Sequence, residues 1–73
     1  MTIHKTVSRN IRILRAERKI SQDELAHRAS LQRSHMSNLE NAKVDIKIST
    51  IEKIANALDV DAAYLLTDHS KKR

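Results

Sequence analysis

The stretch Ser21-Gln-Asp-Glu-Leu-Ala-His-Arg-Ala-Ser-Leu-Gln-Arg-Ser-His-Met-Ser-Asn-Leu-Glu40 decides the fold. It opens on Ser21-Gln22-Asp23-Glu24, a capping-box pattern. In such a box the Ser hydroxyl takes the amide of Glu24, and the Glu24 side chain reaches back to the Ser21 amide. Ile20 before the cap and Leu25 after it make a hydrophobic staple. Leu25, Ala26 and Ala29 then face inward, and the helix ends near Ala29 with Ser30 in the turn. A second helix is expected over 33–41, weakly capped by Gln32. It buries Met36 and Leu39, with Leu31 packing from the turn, and sets Arg33, Ser34, Ser37, Asn38 and Asn41 on the opposite face.

Outward from this pair the pattern stays helical. Val7, Ile11 and Leu14 fall at i, i+4 and i+7, predicting a helix over 6–19 capped by Thr6 or Ser8. Residues 42–48 read as an extended loop dropping Ile46 and Ile48 into the core, because Val44, Ile46 and Ile48 alternate but no second strand is available to pair. Ser49-Thr50-Ile51-Glu52 is a second capping box, opening a helix that turns Ile51, Ile54, Ala55 and Leu58 inward. A short fifth helix over 61–66, capped by Asp61, carries Ala62, Tyr64, Leu65 and Leu66. The ends, 1–5 and 67–73, read as flexible tails.

Composition agrees with an all-α, five-helix single domain spanning 1–73, its core at about 6–66. The 73 residues contain no Gly, no Pro, no Cys and one aromatic, Tyr64. Tight hairpin turns need φ > 0 and sheets favour aromatics, so β structure is disfavoured. A domain this small is marginal and has no disulfide or Cys-based metal site to help it; self-association is the remaining aid. The longest apolar run is Ala62–Leu66, too short for a membrane span or a signal-peptide core, which points to the cytoplasm. The net charge is +5, and residues 1–47 alone hold +5 while residues 48–70 hold −3. That asymmetry fits a polyanion on one face and another partner on the other, or a solvated basic surface with no partner.

Two short helices joined by a short turn, the second polar outside, make a helix-turn-helix unit. The Ser21–Glu40 stretch resembles the lambda-repressor/Cro/XRE family pattern S-Q-x-x-L-A-x-x-x-G-[VL]-S-x-x-x-[IVM]-S-x-[ILW]-E. The Ile51–Leu66 segment resembles the same family's L-x-x-I-A-x-A-L-x-V-x-x-x-x-L ending. Ser30 and Ala42 depart from it, standing where the family commonly has Gly, so either a different turn or some strain follows there.

The resemblance implies a sequence-specific transcription regulator that binds double-stranded DNA with its third helix in the major groove. Arg33 would read a guanine O6/N7 edge or hold a phosphate; Ser34, Ser37 and Asn38 share its stripe, and His35 lies at the edge. Gln22 matches the family's phosphate contact, beside the amides of the second helix's N-terminus. Lys43, Lys47, Ser49 and Thr50 match a second phosphate clamp. Arg15 and Glu40 correspond to positions that the family joins by an ion pair. Leu58, Val60, Tyr64, Leu65 and Leu66 would form a homodimer interface, or else close the monomer core. A homodimer would place two recognition helices about 34 Å apart on a pseudo-palindromic operator. Ile13, usually polar in the family, is read as covered by the N-terminal tail rather than as a partner surface.

Leu31–Glu40 and Asp45–Ile48 also resemble the controller proteins of restriction–modification systems. Such proteins activate and repress from one tandem operator, which would add RNA polymerase to the partners. A phage-type repressor and an antitoxin-type interaction module are the rival readings. His4, His27, His35 and His69 show no metal-ligand spacing, no Gly-rich phosphate loop is possible, and no pocket for a triad is expected. The expectation is therefore no enzyme activity, no metal and no cofactor.

Overall fold

Helix α1 spans Ile3–Glu17, α2 Gln22–Arg28, α3 Arg33–Glu40, α4 Ile48–Leu58 and α5 Ala62–Leu66 in a computed structural model that describes residues 2–69. No strand occurs among the described residues, and no helix among them is long and apolar enough to cross a membrane. Helix α1 packs against α3, α4 and α5, while α2 packs against α3 and α4.

The apolar periodicity becomes one shared core. Val7, Ile11 and Leu14 of α1 meet Leu25, Ala26 and Ala29, Met36 and Leu39, Ile51, Ile54, Ala55 and Leu58, and Leu65. Val44 and Ile46 pack at its edge from the loop before α4. Ile48 does not: it is 77% exposed. It lies one helical turn before Ile51, past the end of the layer that Ile51 closes.

Three helix starts differ from the sequence expectation. Helix α1 begins at Ile3 because Thr2 is extended and its hydroxyl accepts from the Lys5 amide at 3.2 Å. Residues 3–5 are thus helix rather than tail, and Thr6 and Ser8 are buried instead of capping. Helix α4 begins at Ile48, with the extended residue at Lys47 and no side-chain cap. Ser49 is already helical, so the second capping box does not form. Asp61 precedes α5 without a side-chain cap bond. At α2 half of the box forms: Ser21 Oγ accepts from the Glu24 amide at 3.0 Å, but the Glu24 carboxylate turns forward to Arg28 Nε at 2.8 Å.

Four helices stop in one way, without glycine. Lys19, Ser30, Ala42 and Asp59 adopt φ of 56°, 59°, 55° and 61°. Each donates its amide to the carbonyl three residues back, and the next residue reaches five back: Ile20 to Arg15, Leu31 to Ala26, Lys43 to Asn38, Val60 to Ala55. This is the Schellman arrangement. Ser30 and Ala42 therefore keep the left-handed geometry at a cost of roughly 1–2 kcal/mol each. After α1, α2 and α4 the residue completing the motif is apolar and packs on the core (Ile20, Leu31, Val60). After α3 it is Lys43, which is exposed.

Candidate nucleic-acid interface

What α3 lacks in an apolar stop, α1 supplies. Ser8 Oγ donates to the Leu39 carbonyl, and Arg12 Nη1 donates to the Glu40 carbonyl at 2.6 Å. Arg15 then grips the Glu40 side chain through Nε to Oε2 at 2.8 Å and Nη2 to Oε1 at 3.0 Å, with Nη1 on the Ile20 carbonyl at 3.1 Å. The Glu40 side chain is 3% exposed and that of Arg15 24%. Burying a carboxylate costs several kcal/mol, which a well-made pair roughly offsets, so the result is a fixed geometry more than net stability. Gln22 Nε2 adds a third donor to Glu40 at 3.3 Å. Its amide nitrogen has two hydrogens, so a second donor remains for another acceptor.

Ser8, Arg12 and Arg15 lie at i, i+4 and i+7. The three-point clamp is thus written as a polar stripe along α1, beside the apolar stripe used to place the helix. The sequence reading assigns only Arg15 to this contact and takes Ser8 as a helix cap; the same spacing rule applied to polar residues brings the three together.

Clamped at its C-terminal end, α3 turns its other face to solvent. Arg33, Ser34, His35 and Asn38 are exposed and Ser37 is half-buried. None of their side chains makes a hydrogen bond within the described residues, and Arg33 forms one ion pair, its Nε 2.6 Å from Asp23 Oδ1 on α2. The sequence reading gives Arg33 no such partner.

Lys43, Lys47 and Ser49 are exposed in the α3–α4 loop and first turn of α4, whereas Thr50 is buried. The amides of Ile48, Ser49 and Thr50 precede the first bond to α4's cap residue (Ile51 to Lys47, 3.0 Å) and have no intrahelical partner. His4 of α1 lies 3.5 Å from Asp45 in this loop.

The surface assigned to a partner copy divides in two. Leu58 and Leu65 are 1% and 0% exposed, so they belong to the monomer core and cannot meet a second chain. Tyr64 and Leu66 are 40% and 41% exposed and Val60 is half-buried. The Tyr64 ring stacks on His69 at 4.0 Å. Ile13 is 42% exposed and not covered by the N-terminal residues, which are helical. Asn10 explains how α5 is held: buried on the apolar stripe of α1, its Nδ2 donates to the Leu65 and Thr67 carbonyls at 2.8 Å each. A polar residue inside an apolar stripe was the available signal. Residue 1 and residues 70–73 of the expected tails lie outside the described residues.

Comparison with known proteins places this geometry in context. A family model described as "Helix-turn-helix" matches residues 11–65. The chain is 32% identical over 65 residues to the immunity repressor protein of Bacillus phage phi105, covering 89% of this chain but 45% of the repressor, so it spans less than half of that relative. It is 29% identical over 72 residues to control protein C.SmaI of Serratia marcescens, covering 99% of this chain and 86% of that one. The crystal structure of the hypothetical transcription factor NHTF from Neisseria superposes with a TM-score of 0.90 at 35% identity, over 93% of this chain and 78% of that chain.

Proposed function

Because the chain belongs to the helix-turn-helix family of the lambda-repressor type, we propose that it is a sequence-specific regulator that binds double-stranded DNA as a homodimer on a pseudo-palindromic operator. The carrying observation is the asymmetry of α3. One end is fixed by three side chains of α1, and the polar outer face is largely exposed, its side chains making no hydrogen bond and one ion pair within the described residues. A clamped helix with such a polar face suits major-groove readout.

On this reading Arg33, Ser34, Ser37 and Asn38 meet base edges, with His35 at the margin. Gln22, Lys43, Lys47, Ser49 and the first amides of α4 meet phosphates. Val60, Tyr64 and Leu66 supply the apolar contact between copies. Similarity to a control protein across 72 residues supports controller activity of the restriction–modification kind, with RNA polymerase as a further partner. Similarity to an immunity repressor supports pure repression instead. A promoter titration separates the two: output rises and then falls with concentration for a controller, and falls throughout for a repressor.

Selection of bound duplexes from a random pool tests the core of the proposal. The expected result is two half-sites about 10 base pairs apart, centre to centre, bound with an affinity that drops by orders of magnitude between about 50 and 200 mM salt. An unenriched pool at low salt rejects it.

A further inference from the structure

Arg33 is the first residue of α3, and its side chain is 74% exposed. By local rules it is badly placed. A cation at a helix N-terminus opposes the positive end of the dipole, and a free arginine must give up considerable rotamer freedom to recognise anything. Asp23, in the first turn of α2, answers both points, with Oδ1 lying 2.6 Å from Arg33 Nε. The two acids of that turn have different employments. Glu24 pairs within its own helix, with Arg28, whereas Asp23 reaches across the turn to α3.

An exposed ion pair does little for folding; the Asp23 side chain is itself 65% exposed. The consequence of this pair therefore lies in where it puts the guanidinium. The short contact is an ion pair at Nε, the nitrogen nearest the stem. No nitrogen of the guanidinium makes a hydrogen bond within the described residues, and the two terminal ones together form the fork that matches a guanine O6/N7 edge.

We propose that Asp23 is a positioning residue for base readout: its carboxylate holds Arg33 by Nε, so that the terminal fork is presented to a guanine with its freedom already reduced. The inference rests on the DNA-binding reading above and adds to it a residue that need not touch DNA. Asp23 also repels phosphates, so its removal can raise affinity for any duplex, and the informative quantity is a ratio.

The test measures binding of the full chain to its selected operator and to operators changed at single base pairs. In Asp23→Asn, discrimination at the base pair read by Arg33 should fall at least about fivefold, with other positions unchanged. Asp23→Glu, which keeps the carboxylate, should restore part of the ratio. In an Arg33→Ala background, Asp23→Asn should leave the ratio unchanged. Without DNA, the Arg33 Nε–H resonance should move in Asp23→Asn. An unchanged or increased ratio in Asp23→Asn, as a carboxylate that merely occupies Arg33 would give, overturns the proposal. So does an effect that persists without Arg33. Absence of selectivity in the unsubstituted chain overturns the DNA-binding reading itself, and is told apart because it precedes any substitution.

Discussion

Helix α2 starts on a serine whose hydroxyl caps it and carries two acids in its first turn; α3 starts on Gln32, which makes no side-chain cap bond, and carries an arginine there. At their other ends the contrast reverses. Helix α2 stops on its own residues, with Leu31 packing on the core, whereas α3 needs Ser8, Arg12 and Arg15 of α1 to complete it. The first helix of the motif is specified locally. The second is specified by its neighbours, and on its outer face one ion pair, Arg33 with Asp23, is the contact made within the described residues. The base-readout residues proposed for α3 are thus not the ones that clamp it to α1.

The sharpest way to break this division is Arg15→Ala. It leaves the buried Glu40 carboxylate without its cation and should cost about 3 kcal/mol in chemical denaturation; a loss under about 1 kcal/mol would show that the clamp is not what fixes α3. Next, Ser21→Ala should cost about 1 kcal/mol, while Gln32→Ala, at the equivalent place before α3, should cost almost nothing. Equal losses would erase the distinction between the two helix starts. Ser30→Gly should gain about 0.5 kcal/mol by relieving the left-handed backbone, part of the gain being returned as unfolded-chain entropy; thermal unfolding would show a rise of a few degrees. Arg33→Ala should have the smallest effect on stability, within about 0.5 kcal/mol, while relaxing operator specificity at one base pair per half-site. A uniform loss across all sequences would make Arg33 a phosphate contact instead.

Burial was legible where it repeats. The stripes of α1 and α4 came directly from apolar spacing, because one face of a helix meets one core. The Ser21 cap was legible because the whole signal lies within four residues. The Ser49 box carried the same letters and does not form, since the extended residue is Lys47 and the helix is already under way. Local patterns compete, and tertiary placement selects among them. The apolar end of the chain was visible as a cluster, but no spacing rule divides it into Leu58 and Leu65 inside and Tyr64 and Leu66 outside. Likewise Asn10 meets carbonyls more than fifty residues away, and Asp23 meets Arg33 across the turn. Those contacts depend on the packing of whole helices.

The four glycine-free turns bear on the route to the native state as well as on its stability. Each is closed by hydrogen bonds no more than five residues apart in sequence, so the backbone stops of these four helices, though not the side-chain clamp on α3, need no distant contact. With no proline in the chain, no step waits on the slow isomerisation of an X-Pro bond. A small helical domain with local stops should fold in microseconds to milliseconds and in a single exponential phase. Folding of the single chain would then not be the slow step for newly made copies on the way to the dimer proposed for operator binding.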